Sequence, residues 1–268
     1  MEEKTCPSAE LFFKREFKKH TGIKDIRFVL AIGSGKGGVG KTTIVCGIIN
    51  YLIEKGLTPI LIVDADPNSN LAENLGLKYD LTIADIREEL RTAQIPQSFS
   101  KAEYVNMKLQ EALVEYKDFD LLIMGRPEGR ECYCYVNELL RTFLSNLSKN
   151  YKYVVVDTEA GMEHFSRRTT DNIDTLIVVT TPTKVSFDTT KKILDLIPKL
   201  GLKIYDKKIL LNLAEENFDS FDEIKIDGII HKDEQIYSYS QRQQPLLHTI
   251  LNTKFYSELK SFLEKIIK

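Results

Sequence analysis

Long apolar stretches are missing from this 268-residue sequence. No uncharged run reaches the roughly 18 to 20 apolar residues that a bilayer crossing needs, and the first residues carry no secretory pattern. A cytoplasmic protein with no membrane partner is expected. Net charge is nearly absent as well: 37 basic against 39 acidic residues leave −2. That balance gives no electrostatic footing for nucleic acid or an anionic membrane. Cysteine is scarce. Four thiols, Cys6, Cys46, Cys132 and Cys134, do not make a disulfide framework in a reducing compartment. Two of them stand one residue apart, which raises metal binding instead. Repeats, low-complexity tracts and linkers are lacking, so one domain is expected over residues 28–268. Before it lies a polar, mixed-charge extension, residues 1–27, with a short helical pattern at 9–20.

What is present alternates. Apolar runs at 28–33, 59–63, 121–124, 153–156, 176–180 and 209–211, with a weaker one at 228–230, have the continuous character of strands covered on both faces. Helical patterns fall between and after them at 42–54, 82–91, 105–115, 136–147, 187–200 and 255–267. Alternation of this kind predicts βαβ units with right-handed crossovers. The fold class is α/β, a mostly parallel twisted sheet of about seven strands flanked by helices on both faces.

The segment Gly33-Ser34-Gly35-Lys36-Gly37-Gly38-Val39-Gly40-Lys41-Thr42-Thr43 follows the first strand and opens the first helix. In that context it reads as a G-x-x-x-x-G-K-[ST] phosphate loop, the mark of a P-loop NTPase. Gly35, Gly37, Gly38 and Gly40 let the backbone approach a phosphate, and the N–H groups through Val39 to Thr43 can face it. The helix N-terminus adds partial positive charge. Lys41 is expected to reach the β- and γ-phosphates of ATP, and the Thr42 hydroxyl to ligate Mg2+. A lysine at the start of the loop, Lys36, resembles the deviant Walker family that includes MinD, ParA and the nitrogenase iron protein. The resemblance implies a lysine that crosses to the partner subunit's nucleotide, hence an ATP-dependent homodimer.

Val63-Asp64-Ala65-Asp66-Pro67-Asn68 places carboxylates at a strand's carboxyl end, where parallel sheets bind ligands. By the same resemblance Asp66 positions or activates the attacking water and Asp64 lies near Mg2+. Tyr153-Val154-Val155-Val156-Asp157 has the Walker B form, with Asp157 holding Mg2+ through water and Gly161 freeing a switch loop. Asn212, closing Leu210-Leu211-Asn212, matches the family's adenine-reading asparagine, although a lone strand-end asparagine is also a common turn residue. No N-K-x-D element is present, which favours ATP over GTP.

Cys132-Tyr133-Cys134 supplies two thiolates, half of a four-coordinate sulfur site. A two-fold dimer would join two such pairs into one site of four thiolates; the bland alternative is two small buried hydrophobes. The run Arg126-Pro127-Glu128-Gly129, then Cys132-Tyr133-Cys134-Tyr135-Val136-Asn137, resembles the CooC family of nickel-delivery ATPases for carbon monoxide dehydrogenase. So does the run from Asp157 to Thr169, Asp-Thr-Glu-Ala-Gly-Met-Glu-His-Phe-Ser-Arg-Arg-Thr. A close branch of that family serves acetyl-CoA synthase. The resemblance implies that Cys132 and Cys134 of two subunits bind Ni2+ or Zn2+, that ATP hydrolysis, with Lys36, Lys41 and Asp66 as the catalytic residues, changes metal affinity, and that a nickel enzyme is the client. Sulfur ligands suit both metals and do not choose between them. Two other readings stay open: a ParA- or MinD-type positioning ATPase on DNA or membrane, and an iron–sulfur ATPase like the nitrogenase iron protein. The amphipathic pattern at 255–267 reads as a helix packed on the sheet, or as a MinD-like membrane helix. His164, Arg167 and Arg168 are read as structural or solvated residues.

Overall fold

Apolar runs without alternation become the inner strands, and the glycine-rich or polar segments after them become the turns into helices. A computed structural model describes residues 28–92, 98–126, 147–161, 172–199, 203–217, 220–221 and 224–267. Strand β1 (Phe28–Ser34) leads into helix α1 (Lys41–Glu54), and β2 (Ile60–Ala65) into the short α2 (Leu71–Leu75). Helices α3 (Ile83–Thr92) and α4 (Lys101–Glu111) precede a hairpin of β3 (Leu113–Glu115) and β4 (Phe119–Ile123). Then come β5 (Tyr153–Ala160), β6 (Asn172–Thr180), α5 (Lys184–Leu196) and β7 (Lys203–Ala214). The chain continues through β8 (Ser220–Phe221), β9 (Ile224–Lys225), β10 (Gly228–His231), α6 (Glu234–Gln241) and α7 (Lys254–Leu263).

The main sheet has eight strands in the order β10-β7-β6-β1-β5-β2-β4-β3, and β8 pairs with β9 apart from it. Every pairing in the main sheet is parallel except β3 with β4. Successive residues of the inner strands serve opposite cores. Val29, Ala31, Leu61, Val63, Val154 and Val156 face one layer with α3, α4 and α5. Leu30, Ile32, Ile60, Ile62 and Val155 face the other, with α1, α2 and α7. Strands β5 and β2 lie on one side of β1, and β6 and β7 on the other. The reversal of strand order at β1 opens a crevice at the carboxyl ends, where such sheets bind ligands.

Two expectations are corrected. The helix predicted over 105–115 ends at Glu111, and Leu113–Glu115 turns back as an antiparallel edge strand. Ser100 and Glu103 close a capping box that starts the helix earlier, and Tyr116 N donates to Phe119 O across the turn at 2.9 Å. The added edge strand makes the sheet eight-stranded rather than seven. Strand β7 also begins six residues before the apolar run at 209–211. Its polar first half pairs with β6 alone, whereas Leu210, Leu211 and Ala214 pair with β10.

The C-terminal helix α7 is an inner element. Phe255, Leu259, Phe262 and Leu263 are buried, with Leu259 at 0% exposure. A Cβ on Gly47 of α1 would sit 2.3 Å from Leu259 Cδ2, so the glycine is what lets the two helices approach. No helix among the described residues is long and apolar enough to cross a membrane. The patterns predicted at 9–20 and, apart from Leu147, at 136–147 lie outside the described residues.

Candidate nucleotide site

Residues 35–40 turn between β1 and α1 at the centre of the sheet's carboxyl edge. Gly38 at φ +78° and Gly40 at φ +88° adopt the left-handed backbone that glycine takes without a Cβ penalty. Gly40 is the N-cap of α1 and makes no side-chain cap, so the first N–H groups of the helix remain free for a ligand. The base of the loop is tied from within. Ser34 Oγ donates to Lys36 O at 2.8 Å, and Gly161 N donates to Ser34 O at 2.8 Å. Lys41 is 7% exposed beneath the loop, whereas Lys36, Gly37 and Gly38 are exposed. Gly35, Thr42 and Thr43 are half-buried, and Val39 is buried.

The acids sit where the strands end. Asp64 of β2 and Asp157 of β5 are side by side in the parallel register. Thr42 Oγ1 donates to Asp157 Oδ2 at 2.9 Å. Asp157 Oδ1 is buried and has no hydrogen-bond donor among the described residues. Burial, reinforced by the neighbouring Asp64 charge, pushes the Asp157 carboxyl up to about 7, against the pull of Thr42 and Lys41. Burial likewise pushes Asp64 up to about 6, although it accepts from Leu71 N and Asp66 N, both at 3.1 Å. An orphaned oxygen beside a hydroxyl and a second carboxylate is the oxygen-rich, electron-rich set that fits a hard divalent cation. Asp66 is half-buried and accepts from Asn68 N and Nδ2, both at 2.9 Å, which fixes its carboxylate at the mouth of the crevice.

The structure therefore brings together Lys41, Thr42, Asp64, Asp66 and Asp157 from three elements. Asn212, 3% exposed at the end of β7, joins them differently from the sequence expectation: its Nδ2 donates to Val39 O of the loop at 2.8 Å. Thr189 of α5 escaped sequence reasoning. It crowds Gly35 so closely that a Cβ there would lie 2.5 Å from Thr189 Cβ. No local spacing marks such a partner, since it arrives from more than 150 residues away. Cys132, Cys134, His164, Arg167 and Arg168 lie outside the described residues, as does the extension with Cys6. Among the described residues no group of three or more His, Cys, Asp or Glu could hold a metal ion, and Cys46 is a buried free thiol.

A family profile described as AAA domain matches residues 27–210, the span from β1 into β7 that carries the loop and all three acids. This chain belongs to that family of P-loop ATPases. Within the family it is 42% identical over 245 residues to an uncharacterized ATP-binding protein of Methanocaldococcus jannaschii, covering 87% of this chain and 96% of that one. It is 30% identical over 226 residues to the carbon monoxide dehydrogenase accessory protein CooC of Rhodospirillum rubrum, covering 75% of this chain and 85% of the relative. Among solved structures, MinD of Pyrococcus horikoshii, complexed with Mg-ADP, superposes with a TM-score of 0.64 at 21% identity. The match covers 91% of this chain and 97% of that one. The AAA-domain fold is thus the MinD/ParA kind of P-loop sheet.

Proposed function

We propose that this ATPase is a metallochaperone: ATP closes a homodimer, and closure rearranges a Ni2+ or Zn2+ site formed by Cys132 and Cys134 of both subunits, for delivery to a nickel enzyme. The observation that carries the nucleotide half is the Thr42–Asp157 contact with its unpartnered Asp157 oxygen beside Asp64. Backbone N–H groups of Gly35 to Thr43 cradle the phosphates of ATP, and Lys41 neutralises β- and γ-oxygens from below. Thr42 and Asp157, with Asp64 behind them, would hold Mg2+, which when bound offsets charge on the phosphate oxygens. Asp66 orients the attacking water, its carboxylate fixed by Asn68. Lys36, exposed at the rim, supplies a cation to the partner's nucleotide. ADP is released when the dimer opens.

The metal half rests on the C-x-C run and on the likeness to a carbon monoxide dehydrogenase accessory protein at 30% identity. A membrane-positioning role draws little support, because the apolar face of α7 is taken up by the core. The test is equilibrium dialysis of Ni2+ and Zn2+ against anaerobic protein, with and without ATP. Wild type is expected to take up one metal ion per dimer with nucleotide-dependent affinity. Cys132→Ala with Cys134→Ala is expected to lose that uptake while keeping ATP binding. Unchanged uptake in the double variant would end the metallochaperone reading, and a brown, iron-containing protein would replace it with the iron–sulfur one.

A further inference from the structure

Sequence reasoning offers Asn212 as a base reader or a turn residue, yet in the structure it touches the phosphate loop. Its Nδ2 donates to Val39 O at 2.8 Å in a buried setting, with 173 residues of chain between the two. The fit is close: a Cβ on Gly40 would lie 2.5 Å from Nδ2. The residue after it, Leu213, is held at φ +59°, a backbone that a branched side chain seldom adopts, inside a strand and with its side chain 43% exposed.

We infer that Asn212 is a positioning residue for the phosphate loop, holding Val39 and Gly40 in the phosphate-receptive shape from outside the loop. Among the described residues this end of the loop has no side-chain cap of its own: Gly37 and Gly38 are exposed, and Gly40, the N-cap, is held only by accepting from Ile44 N at 3.0 Å. At the other end Thr189 does the corresponding work. Its Oγ1 is tied to Val185 O and Ser186 O of its own helix, and it stands against Gly35. The two braces come from β7 and α5, elements that the loop itself does not specify. With Nδ2 committed to Val39 O, Oδ1 is left as the acceptor end of the amide, which would suit an exocyclic amino group on a base.

This inference rests on the nucleotide-site reading, and the experiment separates the two. The probe is inorganic tripolyphosphate with Mg2+, which has no base, measured by calorimetry beside ATP. Wild type is expected to bind both; binding of neither would defeat the nucleotide reading itself. Asn212→Ala, and the isosteric Asn212→Asp that sets an acceptor against the Val39 carbonyl, are expected to weaken tripolyphosphate about 5- to 10-fold, the scale of one hydrogen bond. In amide NMR spectra of the ligand-free variants, the resonances of residues 37–42 should move while the core resonances stay. Unchanged tripolyphosphate binding with weakened ATP would reduce Asn212 to a base reader. Shifts spread across the core, or failure of both variants to fold, would make it a structural residue and overturn the inference.

Discussion

Asp157 and Asp64 stand side by side with burial raising both toward neutral pH, so the ligand-free protein carries a cost at its candidate nucleotide site. Their folded values, about 7 and about 6, lie above the ordinary carboxylate value of 3.8. A raised acid binds more protons folded than unfolded, so its stability contribution is largest at low pH and falls as pH rises. The window runs from about pH 4 to about 7, and above it the loss is complete. Metal-free, nucleotide-free protein in chelator is therefore expected to be less stable at pH 8 than at pH 5.5 by about 3 kcal/mol. Urea denaturation at the two pH values measures this. Asp157→Asn should flatten the difference and stabilise the fold above pH 7, while abolishing ATP hydrolysis. An equally steep variant would show that the dyad is not the cause. The identities of these acids were legible in the sequence, because each ends an apolar run at the carboxyl edge, where parallel sheets bind ligands. Their pairing was not, since strand register across β2 and β5 is a property of the assembled sheet. The same holds for Asn212, whose type and strand-end position could be read while its partner, Val39, could not.

At the scale of elements, α7 separates two kinds of protein. A surface-bound amphipathic helix keeps its apolar face available and leaves the fold when removed. Here that face is closed against α1 through Gly47, and Tyr256 and Lys260 both bond Glu54 at the far end of α1. Thr253 caps the start of α7, accepting from Tyr256 N at 3.2 Å. Leu259→Ala is expected to cost about 2 to 5 kcal/mol of unfolding free energy, the range for truncating a fully buried leucine. The shift in urea midpoint at constant m-value measures it. A loss below about 0.5 kcal/mol, together with lipid co-sedimentation of wild type, would return α7 to the membrane reading. The helical period of 255–267 was plain in the sequence, and so was its charge pattern, but period alone does not say what covers an apolar stripe. The edge strand β3 was missed for a related reason. Leu113 and Val114 extend a helical spacing by chance, and only pairing with β4 makes them a strand.

Among the described residues, the carboxyl edge of the sheet is a face that combines an exposed loop with exposed apolar side chains. The carboxyl edge of the sheet exposes Lys36, Gly37 and Gly38 at its centre, with Val185 at 59% and Leu213 at 43% exposure on the neighbouring elements of that edge. Lys41 is already buried against its own site and is a coulombic neighbour of Asp157, whereas Lys36 has no ion pair among the described residues. Two lysines in one loop thus have opposite environments, Lys41 buried and Lys36 exposed; in the proposed dimer Lys41 would serve the subunit's own phosphates and Lys36 its partner's. Only the pattern Gly35-Lys36-Gly37 was readable beforehand, since exposure depends on the folded edge. A cation delivered across an interface stabilises phosphoryl charge only on closure, and such residues contribute about 10³ to 10⁵ in rate. Lys36→Ala is accordingly expected to bind ATP with near-normal affinity, to stay monomeric with ATP on size exclusion, and to release phosphate at least about 10³-fold more slowly. Lys41→Ala should instead lose ATP affinity in the monomer itself. If Lys36→Ala still dimerises with ATP and hydrolyses it at the wild-type rate, the rim lysine does not act in trans, and closure must be driven by the surface around Val185 and Leu213.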